Sequence, residues 1–356
     1  MAVTLKDIAE EMGLTATTVH RALYGKKGVS EETRKKVQQT AASMGYRPNY
    51  LASSLKRRQN LQFAIAMPDT MEDNRYYYGN LWAGVKSFFK EVEAYDVTPM
   101  EFTYPLLAGA NGAVLKNIYE NESNHICGVL TMAEENEQSM YFVERLAAKN
   151  IPVVFVGSDH ASDHRFCCVR SYDEMAGSLA AELLTAFCPS DVPQKVILTG
   201  HYGHLGMKDQ YYNSQGFLSF LRRNAPQVEV VQIQGGDSLQ VRDQIKAALE
   251  KDPEVTAIYS CSARYTVRMV EAVTQLGLEK RLRLIGNDCF EESVDYLRRG
   301  ILSGIIDKKT AKQSYTAMKT LFNYAVKAEY PPSSTIWVSP EIVLRSNVDM
   351  PGRLPE

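Results

Sequence analysis

From Leu61 onward, short apolar runs alternate with amphipathic stretches. FAIAM (63–67), ICGVL (126–130), IPVVFV (151–156), KVILT (195–199), VEVVQI (228–233), VTAIY (255–259) and LRLIG (282–286) are near-continuously apolar. Such runs suit strands buried on both faces of a parallel sheet. Between them, segments such as 80–95, 137–149, 174–187 and 263–276 carry helical periodicity. The alternation predicts an α/β body with helices over both sheet faces, and its length of about 300 residues favours two sheets over one.

The first 60 residues follow another rhythm. Thr4 and Asp7 make a capping-box-like start, and Leu5, Ile8, Ala9 and Met12 then recur at helical spacing up to Gly13. Thr15 opens a second helix whose buried stripe is Val19, Ala22 and Leu23. A polar turn over 24–29 follows. Ser30 caps a third helix, with Glu31 and Glu32 in its first turn and Val37, Ala41 and Met44 inside, and Gly45 ends it. Two short helices joined by a tight glycine turn and packed by a third predict a helix-turn-helix. The second helix exposes Ala16, Thr17, His20 and Arg21, short or donor-bearing side chains that fit a major groove, where Arg21 can pair with a guanine edge. An ordinary three-helix bundle with a solvated basic face fits the same pattern, so periodicity alone leaves both readings open.

Charge separates the two regions. Of 40 Lys and Arg and 42 Asp and Glu in 356 residues, the first 60 hold 11 and 5, leaving 29 and 37 for the body. A basic head on an acidic body matches a polyanion-binding module joined to a regulatory domain. No apolar run reaches the length of about 18 residues that a membrane span needs, and the start of the chain lacks the apolar stretch of an export signal. A cytoplasmic location is expected. The six cysteines show no CxxC spacing and read as reduced, mostly buried thiols. His160/His164 and His201/His204 lack further ligands at metal spacing and read as loop residues, so neither metal nor cofactor is expected. No Walker loop, GxSxG elbow or strand-linked GxGxxG occurs, and Gly235-Gly236 lacks that spacing. An enzyme is not expected.

The run TLKDIAEEMGLTATTVHRALYGKKGVSEETRKKVQQTAASMGYRPNYLASSL resembles, without a gap, the DNA-binding head of the lactose/galactose repressor (LacI/GalR) family. The resemblance implies a recognition helix from Thr15, base contacts at Ala16, Thr17 and Arg21, and phosphate contacts near Thr18 and His20. His20 stands where serine is usual, and Tyr24 where asparagine is. Tyr46-Arg47-Pro48-Asn49 with Leu51, Ala52 and Leu55 resembles the family's hinge helix, which implies minor-groove contacts from Asn49 and Ala52. Leu55 is then the apolar wedge that kinks the duplex, or else plain helix packing. A lone helix this short is marginal in water, so it is expected to fold only when paired on DNA.

The body resembles the effector domain of the same family, itself related to periplasmic sugar-binding proteins, with Gly84, Gly157, Gly177, Gly216, Gly286 and Arg345-Ser-Asn-Val in register. The implied architecture is an N-terminal all-α helix-turn-helix head (1–46), a hinge and linker (47–60), and an α/β two-subdomain periplasmic-binding-protein-like effector domain (61–356). The subdomains are expected at about 61–168 plus 304–332, and 169–303 plus 333–350. A small-molecule effector, a sugar or sugar derivative, is expected in the cleft between them. The resemblance places Asp288 on sugar hydroxyls and Tyr77 and Tyr78 near the cleft mouth, although Tyr76–Tyr78 and Trp82 fit core or dimer-surface packing equally. Three positions depart from the family: Asn213 replaces arginine, Ser262-Ala263 followed by Arg264 replaces an Asn-Asp pair, and Lys308 replaces glutamine. The redistributed charge suggests an acidic or phosphorylated sugar, unless Arg264 and Lys308 face solvent. No apolar heptad tail follows Asn347, so a homodimer is expected on a double-stranded, near-palindromic operator. A sugar receptor with no DNA-dependent role is the competing reading.

Overall fold

The computed structural model describes residues 5–23, 28–44, 61–160, 162–186, 194–200, 208–234 and 237–354. The head contains α1 (Leu5–Met12), α2 (Ala16–Leu23) and α3 (Glu31–Ser43). Ile8, Ala9, Val19, Ala22, Val37 and Ala41 form its core. The turn between α1 and α2 uses Gly13 at φ 62°, a left-handed residue that lets the Leu14 N–H return to the Ala9 carbonyl at 2.9 Å. Thr15 and Ser30 cap the next two helices, their hydroxyls accepting the N–H of Thr18 and Thr33, each at 3.2 Å. The expected hinge, with Asn49, Ala52 and Leu55, lies outside the described residues.

In chain order the first half of the body runs β1 (Leu61–Pro68), α4 (Arg75–Glu91), β2 (Val97–Tyr104), α5 (Ala110–Asn117), β3 (Ile126–Thr131), α6 (Glu137–Ala148), β4 (Val153–Val156) and β5 (Cys167–Ser171). Then come α7 (Asp173–Ala186), β6 (Lys195–Gly200), α8 (Lys208–Asn224), β7 (Glu229–Gln234), α9 (Ser238–Lys251), β8 (Val255–Ser260), α10 (Ala263–Gln275), β9 (Arg283–Asn287), α11 (Glu291–Arg298), β10 (Gly304–Asp307), α12 (Thr310–Lys327), β11 (Thr335–Val338) and β12 (Glu341–Val343). Two six-stranded sheets result, ordered β11-β5-β4-β3-β1-β2 and β12-β10-β9-β8-β6-β7. Among the described residues every pairing is parallel except β10 with β12.

The chain passes between lobes three times: at Tyr172, at Lys308–Lys309, and between β11 and β12. This corrects the expected partition at two places. Strand 304–307 stays in the second sheet beside β9, and 335–338 returns to the first sheet beside β5. Both segments are only four residues long, GIID and TIWV, too short for their sequence to say which sheet receives them. The edge strand β2 also went unmarked, since its alternating residues and Pro99 differ from a buried run; its one-sided burial and terminal position in the sheet account for both.

Helices α7 and α8 meet backbone to backbone. A Cβ on Gly177 would lie 1.8 Å from the Asn213 carbonyl oxygen, and one on Gly216 would lie 2.0 Å from that of Glu174. Only glycine permits this approach, and it fixes α8 against the element that starts at the first crossover.

Candidate functional site

On the head, helix periodicity turns Val19 and Ala22 inward and leaves Ala16, Thr17 and Arg21 exposed together. Thr15 is exposed, and Thr18 and His20 are half-buried at the edge of that face. The Thr18 hydroxyl lies 2.9 Å from that of Thr15, so part of its hydrogen-bonding capacity serves the cap. Arg21 extends beside Gly28, where a Cβ would stand 3.6 Å from its Nη1. This face is compact, polar and carried on a capped helix.

In the body, the strand ends of both sheets converge on a cavity of about 90 Å³. Carboxyl ends of strands are where open α/β sheets hold ligands, because loops there diverge and leave a crevice. Pro68 closes β1, Tyr104 closes β2, Met132 follows β3 and Ser158 follows β4; opposite them stand Ser262 after β8 and Lys308 after β10. Tyr77 and Tyr78 line the same cavity from α4, their rings edge to face at 5.2 Å. Arg264 and Lys308 also face it, so both cations belong to the cleft.

Asp288 and Asn213 are placed differently from the expectation. Neither lines the cavity, and both are fully buried. Asp288 sits at φ 63°, its N–H bonded to the Ile306 carbonyl at 2.9 Å. Its Oδ1 accepts the Thr310 hydroxyl at 3.2 Å, and its Oδ2 lies 3.6 Å from Lys308 Nζ. Lys308 and this carboxylate thus form a buried pair. Lys308 Nζ also lies 5.2 Å from the centre of the Tyr77 ring. Asn213 Oδ1 accepts the Tyr259 hydroxyl at 2.6 Å, and Asn287 Nδ2 donates to the Tyr259 hydroxyl oxygen at 3.0 Å. Burial holds the Tyr259 phenol well above its ordinary pKa, so it remains a donor. Gln210, one turn before Asn213, faces the cavity instead.

One side of the cleft is bridged between lobes. Asp73 accepts two hydrogen bonds from Arg268 Nη2, at 2.8 and 2.9 Å, and one from the Ser238 hydroxyl. Arg268 Nη1 is also shared with Glu271, 2.9 Å to each oxygen. Arg264 Nη2 donates to Asn74 Oδ1 at 3.0 Å, Arg75 Nη2 to Glu292 at 3.0 Å, and Asn80 Nδ2 to the Cys289 carbonyl at 2.9 Å. Tyr76 packs on Phe290 with ring centres 4.8 Å apart. Next to the second crossover, burial first and the Asp288 charge second push the Asp307 carboxyl up to about 6.

Sequence reasoning missed Asp73, Arg268, Tyr104, Asn111, Glu134 and Gln210. Among the described residues no group of His, Cys, Asp and Glu could hold a metal, five cysteines are free thiols, and no helix is long and apolar enough to cross a membrane.

Two family descriptions match the chain: bacterial regulatory proteins of the lacI family over residues 4–49, and the periplasmic binding protein domain over 73–329. The HTH-type transcriptional regulator RegA of Clostridium saccharobutylicum is 40% identical over 77 residues, covering 22% of this chain and 23% of RegA. Catabolite control protein A of Staphylococcus epidermidis is 25% identical over 167 residues, 46% of each chain. The chain thus aligns with less than half the length of these two relatives. The crystal structure of GanP, a glucose-galactose binding protein from Geobacillus stearothermophilus, superposes with a TM-score of 0.67 at 20% identity, covering 81% of this chain and 99% of GanP. That likeness concerns the fold. With the helix-turn-helix head matched to one family description and 257 residues of the two-lobed body to the other, the chain belongs to the lacI family of bacterial regulatory proteins and carries a periplasmic binding protein domain.

Proposed function

We propose that this protein is a ligand-responsive, sequence-specific DNA-binding regulator of carbohydrate-metabolism genes, acting as a repressor and not as an enzyme. The observation that carries the reading is the joining, in one chain, of a capped helix exposing Ala16, Thr17 and Arg21 to a two-lobed body whose strand ends face each other across a cavity. In this reading two copies address a near-palindromic operator. From a helix beginning at Thr15, Thr18 and His20 approach phosphates, and Ala16, Thr17 and Arg21 contact bases. The hinge residues Asn49, Ala52 and Leu55 enter the minor groove at the operator centre. A sugar or sugar derivative in the cleft, held near Tyr77, Tyr78, Arg264 and Lys308 with Asp288 and Asn213 supporting from beneath, changes how the lobes meet. That change alters the free energy of DNA binding, by a coupling typically of about 1–3 kcal/mol.

An acidic or phosphorylated effector draws support from Arg264 and Lys308, but Asp73 and Glu134 line the same cavity and offset them. Comparing thermal shifts with matched neutral, uronic and phosphorylated sugars decides between these forms.

The test of the main reading is selection of bound duplexes from a random pool by the full-length protein, with and without candidate metabolites. A recovered palindrome whose discrimination disappears in Arg21→Ala supports it. Uniform binding to all duplexes in every condition refutes it.

A further inference from the structure

We infer that the effector carries an apolar substituent, an aryl or alkyl group attached to its polar body, and that the first lobe seats this substituent. The inference rests on the effector reading above and concerns what that cleft selects.

Most polar atoms that the first lobe brings to the cavity are engaged within the protein, and Asn111 Oδ1 is left without a partner among the described residues. Asn111 Nδ2 donates to the Tyr104 hydroxyl at 3.0 Å and to Thr131 Oγ1 at 2.8 Å. Glu134 Oε1 accepts the Gly109 N–H at 2.6 Å, and its Oε2 accepts the Ser139 hydroxyl at 3.1 Å. Ser158 donates to the Ala133 carbonyl at 3.0 Å, and Asp73 is held by Arg268. What this lobe presents to a ligand is therefore one amide acceptor, Asn111 Oδ1, and an apolar surface of Leu106, Leu107 and Met132 beside the two tyrosine rings.

Leu107 is 68% exposed, and its position is imposed by the backbone. Its N–H bonds to the Pro105 carbonyl at 2.7 Å, and its own carbonyl accepts the Ala110 N–H at 3.1 Å. Gly109, at φ 80°, is clamped by Glu134, so the loop cannot fold the leucine inward without breaking these bonds. A scattered exposed leucine means little, but a contiguous apolar wall in a concave site marks what the site receives. The opposite wall holds Gln210, Ser262, Arg264 and Lys308. A bare monosaccharide would find one acceptor here, Asn111 Oδ1, and would press its other hydroxyls on this side against aliphatic carbon, losing water without gaining partners. A glycoside with its substituent toward Leu106 and Leu107 matches both walls.

Isothermal titration of the full-length protein with methyl and phenyl β-D-glucopyranosides, β-D-galactopyranosides and β-D-xylopyranosides tests this. At least one sugar should bind on the order of tenfold tighter as its phenyl than as its methyl glycoside. Leu107→Asn, at an exposed position, should cut that ratio to about threefold or less. Equal affinities, weaker phenyl binding, or a ratio that survives Leu107→Asn overturns the inference while leaving the carbohydrate reading standing. If no glycoside of either series binds while duplex selection still succeeds, both fall.

Discussion

Replacing Arg268 by methionine keeps most of the side chain's apolar stem and removes its charged fork from Asp73, 195 residues away in sequence and in the other lobe. Both partners are largely shielded, with side-chain exposures of 17% for Arg268 and 18% for Asp73. Exposed pairs contribute roughly 0.2–1 kcal/mol, and close pairs buried between two surfaces several times more. The intermediate burial and paired bonds place this contact at about 1–2 kcal/mol. Because Glu271 also binds the guanidinium, removing Asp73 alone leaves the cation paired, and the loss in Asp73→Asn should be the smaller of the two. A change of about 1–2 kcal/mol multiplies the local opening equilibrium by roughly 5 to 30. The turn over residues 72–74 is the segment that this contact pins, and its Asn74 N–H bonds to the Met71 carbonyl at 3.0 Å. Amide hydrogen exchange there should accelerate by that factor in Arg268→Met, while β1 stays unchanged. The Arg268→Met/Asp73→Asn cycle should show a coupling above about 0.5 kcal/mol. Exchange altered less than twofold, or strictly additive effects, would mean that the lobes are held by Tyr76, Phe290 and Asn80 without this ion pair.

Further expectations concern pH, packing and capping. The Asp307 carboxyl, raised by burial to about 6 from 3.8, keeps its proton to higher pH folded than unfolded, so the stability tied to that proton is present below about pH 4 and lost as pH rises through 6. Asp307→Asn should therefore raise the urea midpoint at pH 7.5 and leave it nearly unchanged at pH 4; an equal effect at both would contradict this origin. Gly177→Ala must push α7 and α8 apart and should cost about 1–3 kcal/mol in urea unfolding, while also weakening effector binding through the displaced Gln210. An unchanged midpoint would count against the close contact. Thr15→Ala removes the α2 cap and should destabilise the head by about 0.5–2 kcal/mol, read as faster amide exchange in α1 and α2 with the body's exchange unaltered.

The sequence alone determined what rests on local rules. Helical spacing with caps at Thr15 and Ser30, and the glycine stop at Gly13, mark the three helices of the head, because each helix satisfies its own backbone and needs only one apolar stripe. Six of the seven near-continuous apolar runs mark buried strands for a similar reason, since a strand covered on both faces must be apolar on both; the seventh, 228–233, forms the edge strand β7, where only Ile233 is buried. The tertiary structure decided what depends on distant partners. Strands 304–307 and 335–338 carry no local mark of their sheet, and only their tertiary pairing with β9 and β5 assigns them. Lys308 reads as a cleft cation in sequence; the tertiary structure keeps it on the cavity wall and adds a buried partner, Asp288, 3.6 Å from its Nζ. Asn213 turns inward to Tyr259 and yields the cavity to Gln210. Asp73 and Arg268 carry no local signal at all, since the free energy of an ion pair depends on separation and burial, and both are set when the lobes come together.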